Sequence, residues 1–457
     1  MSYLFMIWCC LCWASRSVAT ATASATASAT TPTNILILLT DDQDVLLGSF
    51  DTASYMPEVY KRLQQKGITF EKGGLVHVPI CCPSRSSLLT GKYLHHGNLA
   101  KNNSFEGDCY SQDWKHHEED HHTLAVHAQA SGYTTLYAGK YLNRYHHHNN
   151  NNNNNGKEDD HTNTKTKTND DDDSIPKGWD YWYGLEGNSI YYNYTLVEKS
   201  PKTNNTVRLH QHGDSYPKDY LPLVLEEYTL SLLPTLPEPW LAIVAWPTPH
   251  GPFEPEPKYA QKYSTTEFPK HKDFNATKSS QLAKHWLLRQ LGVISGKTAS
   301  KMEEIYRNRL RALKTVDDHV GKLVDWLETA YTTTSDSDVA TSIEKGTITN
   351  TKAAAALPQR SRSLGGSSSP QAMIDRTLII YTSDNGFQFG QHRLAIDKVG
   401  TATQRIHVVQ RQCGKKRHTV FPVFFFPETY MCFDFMSLIV FSLSTFFFLC
   451  VPMSLFG

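Results

Sequence analysis

Cys81-Cys82-Pro83-Ser84-Arg85-Ser86-Ser87-Leu88-Leu89-Thr90-Gly91-Lys92-Tyr93 reads as a loop running into a short helix. Pro83 suits a first helical position, Ser84 can cap, and Gly91 suits the residue just past the end. A helix N-terminus beside Arg85 makes an anion site, because orphan N–H groups and a guanidinium fork converge on one point. Cys81 stands at that mouth, where a thiol would be reactive. On these residues alone, a buried structural cysteine on a capped helix is the commoner outcome.

The whole string, however, resembles the signature of type I sulfatases, Cys-x-Pro-Ser-Arg-x-x-x-Leu-Thr-Gly. Every fixed position is filled: Cys81, Pro83, Ser84, Arg85, Leu89, Thr90 and Gly91. A pattern with that many fixed positions rarely arises by chance. The resemblance implies that a formylglycine-generating enzyme oxidises Cys81 to an aldehyde during secretion, with Cys82 at the unconstrained position.

Composition adds bounds. The 457 residues suffice for one large α/β domain or two domains. Lys+Arg and Asp+Glu number 45 each, which excludes a global field recruiting nucleic acid or anionic membrane. Of nine cysteines, only Cys81, Cys82 and Cys109 fall mid-chain, so this is no disulfide scaffold. Leu4 to Ala14 is apolar and ends near Ser17-Val18-Ala19, which reads as a signal peptide over 1–19. Sequons at Asn102, Asn193, Asn204 and Asn275 fit a secretory glycoprotein, extracellular or lysosomal/vacuolar.

Residues 20–33 form an Ala/Thr/Ser linker. Structure is expected to begin at Asn34-Ile35-Leu36-Ile37-Leu38-Leu39-Thr40, a continuous aliphatic run suited to a central parallel strand covered on both faces. Asp41, Asp42 and Asp44 follow it. The same grammar recurs where 133–138 leads to Gly139-Lys140, 240–246 to Thr248-Pro249-His250, and 378–381 to Ser383-Asp384-Asn385-Gly386. In open α/β sheets, sites gather at the carboxyl ends of strands, so four such strands argue for one shared active site. Ile305, Leu313, Val316, Val320, Leu323, Val324 and Leu327 lie at helical spacing and predict an amphipathic scaffold helix. Inserts over 146–173 and 332–371 are low in complexity.

The resemblance implies an α/β, alkaline-phosphatase-like sulfatase fold over 34–398, a large mostly parallel sheet flanked by helices. It further implies a Ca²⁺ ion on Asp41, Asp42, Asp384 and Asn385, completed by the formylglycine oxygen at position 81, since a hard cation takes oxygen donors. Alone, Asp41 and Asp42 would be helix caps, and Asp384-Asn385-Gly386 an ordinary tight turn. Arg85, Lys140, His250 and Lys398 match positions that hold the sulfate. Many sulfatases carry a histidine two residues after the first lysine, where Leu142 stands here. That Gly-Lys-Tyr-Leu-Asn form, with Trp179 to Tyr183, Tyr191 to Thr195 and Lys284 to Arg289, resembles the glucosamine-6-sulfatase and extracellular heparan-sulfatase branch. The aromatic stretches could be core or sugar-facing walls. A sulfated saccharide is the implied substrate. A phosphoesterase relative would instead carry a Ser or Thr nucleophile and a zinc site. An inactive glycan-binding fragment is the third reading.

Past Lys398 the resemblance stops. Residues 399–457 read as an unrelated tail, with a basic patch over 411–418 and an apolar run over 435–451. That run is a membrane span against the positive-inside tendency, or translated non-coding sequence. On this reading the family's C-terminal subdomain is missing. A sheet edge then stays unpaired, and the chain folds poorly.

Overall fold

The computed structural model describes residues 33–44, 53–75, 78–93, 119–146, 175–270, 272–330, 372–397 and 405–411. The expected signal peptide and linker up to residue 32, the expected inserts beyond His146, Asn102, Lys398 and the 435–451 run lie outside them. Among the described residues, no helix is long and apolar enough to cross a membrane.

Strand β1 (Asn34–Thr40) lies inside the sheet between β8 and β7, and every one of its side chains is buried. Leu36 and Leu38 join one hydrophobic cluster, whereas Ile35, Ile37 and Leu39 join another on the opposite face. That is the period-two pleat of a strand covered on both sides, each full burial contributing about 1.5–3 kcal/mol. The remaining strands are β2 (Ile68–Leu75), β3 (Thr134–Lys140), β4 (Tyr181–Leu185), β5 (Tyr194–Lys199), β6 (Arg208–His212), β7 (Trp240–Ala245), β8 (Thr377–Ser383), β9 (Gln388–Phe389), β10 (Ile396–Asp397) and β11 (Arg405–Arg411). Nine of them form one sheet in the order β2-β11-β8-β1-β7-β3-β4-β5-β6. The block β8-β1-β7-β3-β4 is parallel throughout. β2, β11, β5 and β6 extend it antiparallel. The four strands singled out in sequence are therefore adjacent, and their carboxyl ends share one edge.

The labelled helices are α1 (Cys81–Thr90), α2 (Leu124–Ala130), α3 (Leu221–Leu232) and α4 (Gly296–Thr329). α4 runs 34 residues and buries Met302, Tyr306, Leu310, Leu313, Val316, Val320, Leu323, Val324 and Leu327 against one sheet face. Ser295 caps it, its side chain accepting from Thr298 N–H. The aromatic stretch around Trp182 is core. Trp182 is buried, stacks on Tyr137 at 5.3 Å and donates from Nε1 to Tyr145 Oη at 2.8 Å. Leu142 packs in that same cluster, at the position where a histidine is common in the family.

One expectation is corrected at the sheet edge. Past residue 399 we expected no strand and an unpaired edge. β11 instead lies antiparallel between β8 and β2, with Val409 opposite Tyr381. Ile406, Val408 and Val409 are β-branched and broken by polar residues, a composition that favours a strand, and the basic run beside them obscures it.

Candidate active site

Helix α1 starts two residues earlier than its proline suggests. It begins at Cys81 after an extended Ile80, and Ser84 N–H already pairs with the Ile80 carbonyl at 3.1 Å. Pro83 is tolerated because a first-turn N–H has no partner within the helix. Ser84 is therefore not the cap. Its hydroxyl donates to the Asp384 carbonyl and so ties α1 to the turn after β8. Gly91 ends the helix as expected, left-handed at φ 68°, with its N–H on Ser87 O at 2.9 Å. Cys82, at the unconstrained position of the motif, is disulfide-bonded.

The start of α1 faces the ends of β1 and β8. Cys81 Sγ lies 3.2 Å from Asp41 Oδ1 and 3.8 Å from Asp42 Oδ1. Lys140, delivered by β3, places Nζ 2.6 Å from Asp41 Oδ2, and both side chains are buried. Gly139 makes this possible. At φ 107° its missing Cβ would stand 2.0 Å from the Ala245 carbonyl of β7, so any side chain would push β3 and Lys140 away. His250, in the turn after β7, places Nε2 3.7 Å from Asp42 Oδ2. Its Nδ1 lies 2.8 Å from Gly251 O, an acceptor only, so Nδ1 carries the proton and Nε2 is the nitrogen facing the cluster. One ligand atom each from Asp41, Asp42, Cys81 and His250 falls within 4.8 Å of the others.

The turn after β8 brings Asp384 and Asn385 to the same place. Asp384 Oδ1 accepts from the N–H groups of Asp42 at 3.0 Å and Asn385 at 2.7 Å, while its Oδ2 receives Arg85 Nε at 2.8 Å. Burial and the neighbouring Asp41 push the Asp384 carboxyl up, against the pull of Arg85 and Lys140. Asn385 donates from Nδ2 to Asp42 Oδ1 at 2.7 Å, and its buried Oδ1 has no hydrogen-bond partner. Arg85 is fully buried, donates from Nη1 to Lys140 O, and leaves Nη2 without a partner. An orphaned amide oxygen beside buried carboxylates is a cation's donor set. An orphaned guanidinium nitrogen asks for an anion. The residues fit both groups. Asp42 also holds φ 67°, a left-handed backbone that costs a non-glycine residue on the order of 1–3 kcal/mol.

The thiol itself is a poor nucleophile where it stands. Burial, then Asp41, push Cys81 well up, with only Lys140 opposing strongly. Nucleophilic chemistry by an unmodified thiolate is disfavoured there.

Two neighbours escaped sequence reading. Ser189 follows β4, the fifth parallel strand, and donates to Asp41 Oδ2, so that oxygen has two donors. The strand-end rule would have found it. Arg309, from the scaffold helix α4, is fully buried; Nη1 lies 2.9 Å from Asp44 Oδ2 and Nη2 donates to the Asp42 carbonyl. An arginine within the apolar stripe of a helix was the available signal. Lys398 lies outside the described residues. Of the sequons, Asn193 and Asn204 are exposed at turns, whereas Asn275 is half-buried with Nδ2 on Ile294 O and Oδ1 on Ile294 N. A glycan on Asn275 would break that clamp.

A parallel α/β sheet whose strand ends gather two aspartates, a buried cysteine, a lysine and an arginine defines a hydrolase site for an anionic ester. The family model described as Sulfatase matches residues 33–334, and the chain belongs to the sulfatase family. It is 33% identical over 370 residues to N-acetylglucosamine-6-sulfatase of Homo sapiens, covering 80% of this chain and 53% of that protein. It is 28% identical over 366 residues to the extracellular sulfatase SULF-1 homolog of Drosophila melanogaster, covering 79% and 25%. The chain spans about half the length of the N-acetylglucosamine-6-sulfatases it matches. A solved structure in complex with its substrate D-glucosamine-2-N,6-O-disulfate superposes with a TM-score of 0.51 at 19% identity, covering 83% of this chain and 71% of that one. A phosphonate monoester hydrolase from Silicibacter pomeroyi gives 0.51 at 17%, covering 84% and 69%. The fold is that of sulfatases and is shared with phosphonate hydrolases, so fold alone does not choose the ester.

Proposed function

We propose that the chain hydrolyses the 6-O-sulfate of glucosamine or N-acetylglucosamine units in sulfated glycans, through a formylglycine at position 81 and a bound Ca²⁺. The observation that carries this reading is the convergence of Cys81, Asp41, Asp42 and Lys140 on one buried point, with Arg85 Nη2 orphaned beside them. The relatives named for N-acetylglucosamine 6-sulfates supply the substrate class.

Asp41, Asp42, Asp384 and Asn385 would hold the cation, with the oxygen at position 81 replacing Sγ. A hard dication there supplies a lowered pKa for that hydroxyl and polarisation of a sulfate oxygen. The hydrated aldehyde presents two hydroxyls. One gives its proton to a nearby base and attacks sulfur; the S–O bond to the sugar breaks, and the sugar alcohol leaves with a proton from His250 or Lys398. The second hydroxyl then loses its proton, the C=O bond reforms and sulfate departs. A serine or cysteine lacks that second hydroxyl and would stay as the ester. Arg85 and Lys140 stabilise the sulfate charge in a site shielded from water.

The test is hydrolysis of 4-nitrophenyl sulfate and of N-acetylglucosamine 6-sulfate by chain secreted from a host able to make formylglycine, before and after EDTA. Turnover that EDTA and Cys81→Ala both abolish is the expected result. Turnover of phosphate or phosphonate esters but not sulfates would overturn it.

A further inference from the structure

We propose that the surface segment between the His250 turn and α4 is a landing surface for the sulfated polysaccharide chain that flanks the cleaved sugar. The proposal rests on the sulfatase reading above. Residues 258–295 carry seven lysines and arginines against two acids, Glu267 and Asp273, in a chain whose formal net charge is zero. Lys262, Lys270, Lys272, Lys278 and Arg289 are exposed and make no ion pair among the described residues. Solvated lysines normally alternate with acids; a run this one-sided makes a field with a preferred partner. The same segment exposes its apolar residues, Trp286 at 57% and Leu287 at 51%. An exposed indole amid cations is the pairing that a sulfated sugar ring offers to match, apolar face and anionic edge together.

The segment is tied to the active-site side of the molecule at its start and near its middle. It begins a few residues after His250. Asn275 N–H then bonds Gly390 O at 2.9 Å, and His392 N–H bonds Asp273 O at 2.9 Å. Gly390 follows the Asp384-Asn385 turn by five residues, so the basic surface borders the turn that closes the site. Three more arginines hold its backbone: Arg311 Nε donates to Lys262 O, Arg307 Nη1 to Thr266 O, and Arg393 Nε to Ala276 O. These bonds keep the lysines on a fixed framework.

The test uses the full chain, a heparin-derived octasaccharide and the same octasaccharide chemically desulfated. The triple variant Lys270→Glu, Lys272→Glu, Lys278→Glu is compared with wild type, and the Lys→Gln triple serves if charge reversal impairs folding. Both should weaken octasaccharide binding about tenfold and flatten its salt dependence. KM for the long sulfated substrate should rise while kcat, and turnover of 4-nitrophenyl sulfate, stay unchanged. Trp286→Ala should weaken binding without altering the salt dependence. Unaltered octasaccharide binding by folded triple variants overturns the proposal, as does equal affinity for the desulfated chain or for a single-stranded oligonucleotide of matched charge. Absence of sulfatase turnover with every substrate would fell the catalytic reading, while the binding comparison would still decide this one.

Discussion

Arg309 on α4 holds Asp42 and Asp44 of the β1 turn together, capping one carbonyl and pairing with the other residue's carboxylate at 2.9 Å. Its guanidinium lies 4.0 Å from the centroid of Phe387, so a helix, the β1 turn and the β8 turn meet on one side chain.

Arg309→Met should therefore destabilise the chain by roughly 3–5 kcal/mol, because it strands a buried carboxylate. Arg309→Met with Asp44→Asn should recover part of that loss. Urea denaturation of both variants checks it. A double variant no more stable than the single one would place the role of Arg309 elsewhere.

Chain from a competent secreting host should contain position 81 as an aldehyde, lighter than cysteine and inert to iodoacetamide. Cys82 should alkylate only after reduction, because it is disulfide-bonded. Peptide mass spectrometry with and without reductant reads both. Unmodified Cys81 would contradict the formylglycine reading.

Calcium should stabilise the chain by binding only the folded site, by about 2.7 kcal/mol at a hundredfold excess over its dissociation constant, and so raise the melting temperature. Asp42→Ala should remove that response. Asp42→Gly should remove it too, yet cost less stability, since φ 67° suits glycine. A melting temperature indifferent to calcium and EDTA in the unsubstituted chain would rule the cation site out.

His319 sets an acid limit. It is buried between Trp246 Nε1–H, which donates to Nδ1 at 3.1 Å, and Thr229 Oγ1 at 2.9 Å from Nε2. Burial lowers it from 6.5 to about 3. Its folded pKa lies below its unfolded one, so the unfolded chain binds the extra proton between those values. The stability it contributes is full above pH 6.5 and is lost as pH falls towards 3, on the order of 5 kcal/mol at the limit. His319→Gln should flatten the stability–pH curve across that window. An unchanged slope would show that the acid sensitivity lies elsewhere.

The fold and most of the site were legible because both rest on short local signals. Aliphatic runs marked four of the five parallel strands, and the polar residues after them marked the edge where Asp41, Lys140, His250 and Asp384 assemble. β4 was missed because its aromatic sequence, Tyr181 to Leu185, reads equally as wall or core. Ser84 misled because serine beside proline is a capping signal, while its hydroxyl was taken by a turn 300 residues away. Arg309 was hidden inside a helix whose periodicity explained everything else. The contacts of Ser84 and Arg309 are long-range, and no local window encodes them.

β1 pairs with β8 residue for residue from Asn34 with Thr377 to Thr40 with Ser383. β1 cannot gain that neighbour until the chain through Ser383, 343 residues past Thr40, has emerged from the ribosome. Cys81, only 1% exposed in the finished protein, is walled in by Asp41 and Asp42, while its neighbours Ser84 and Arg85 bind the Asp384 turn. If position 81 is converted as proposed above, the converting enzyme would have to reach that sulfur during this delay. On that reading the high contact order that slows folding would give the cysteine its time of access, and faster folding would leave more chains sealed around an unconverted thiol.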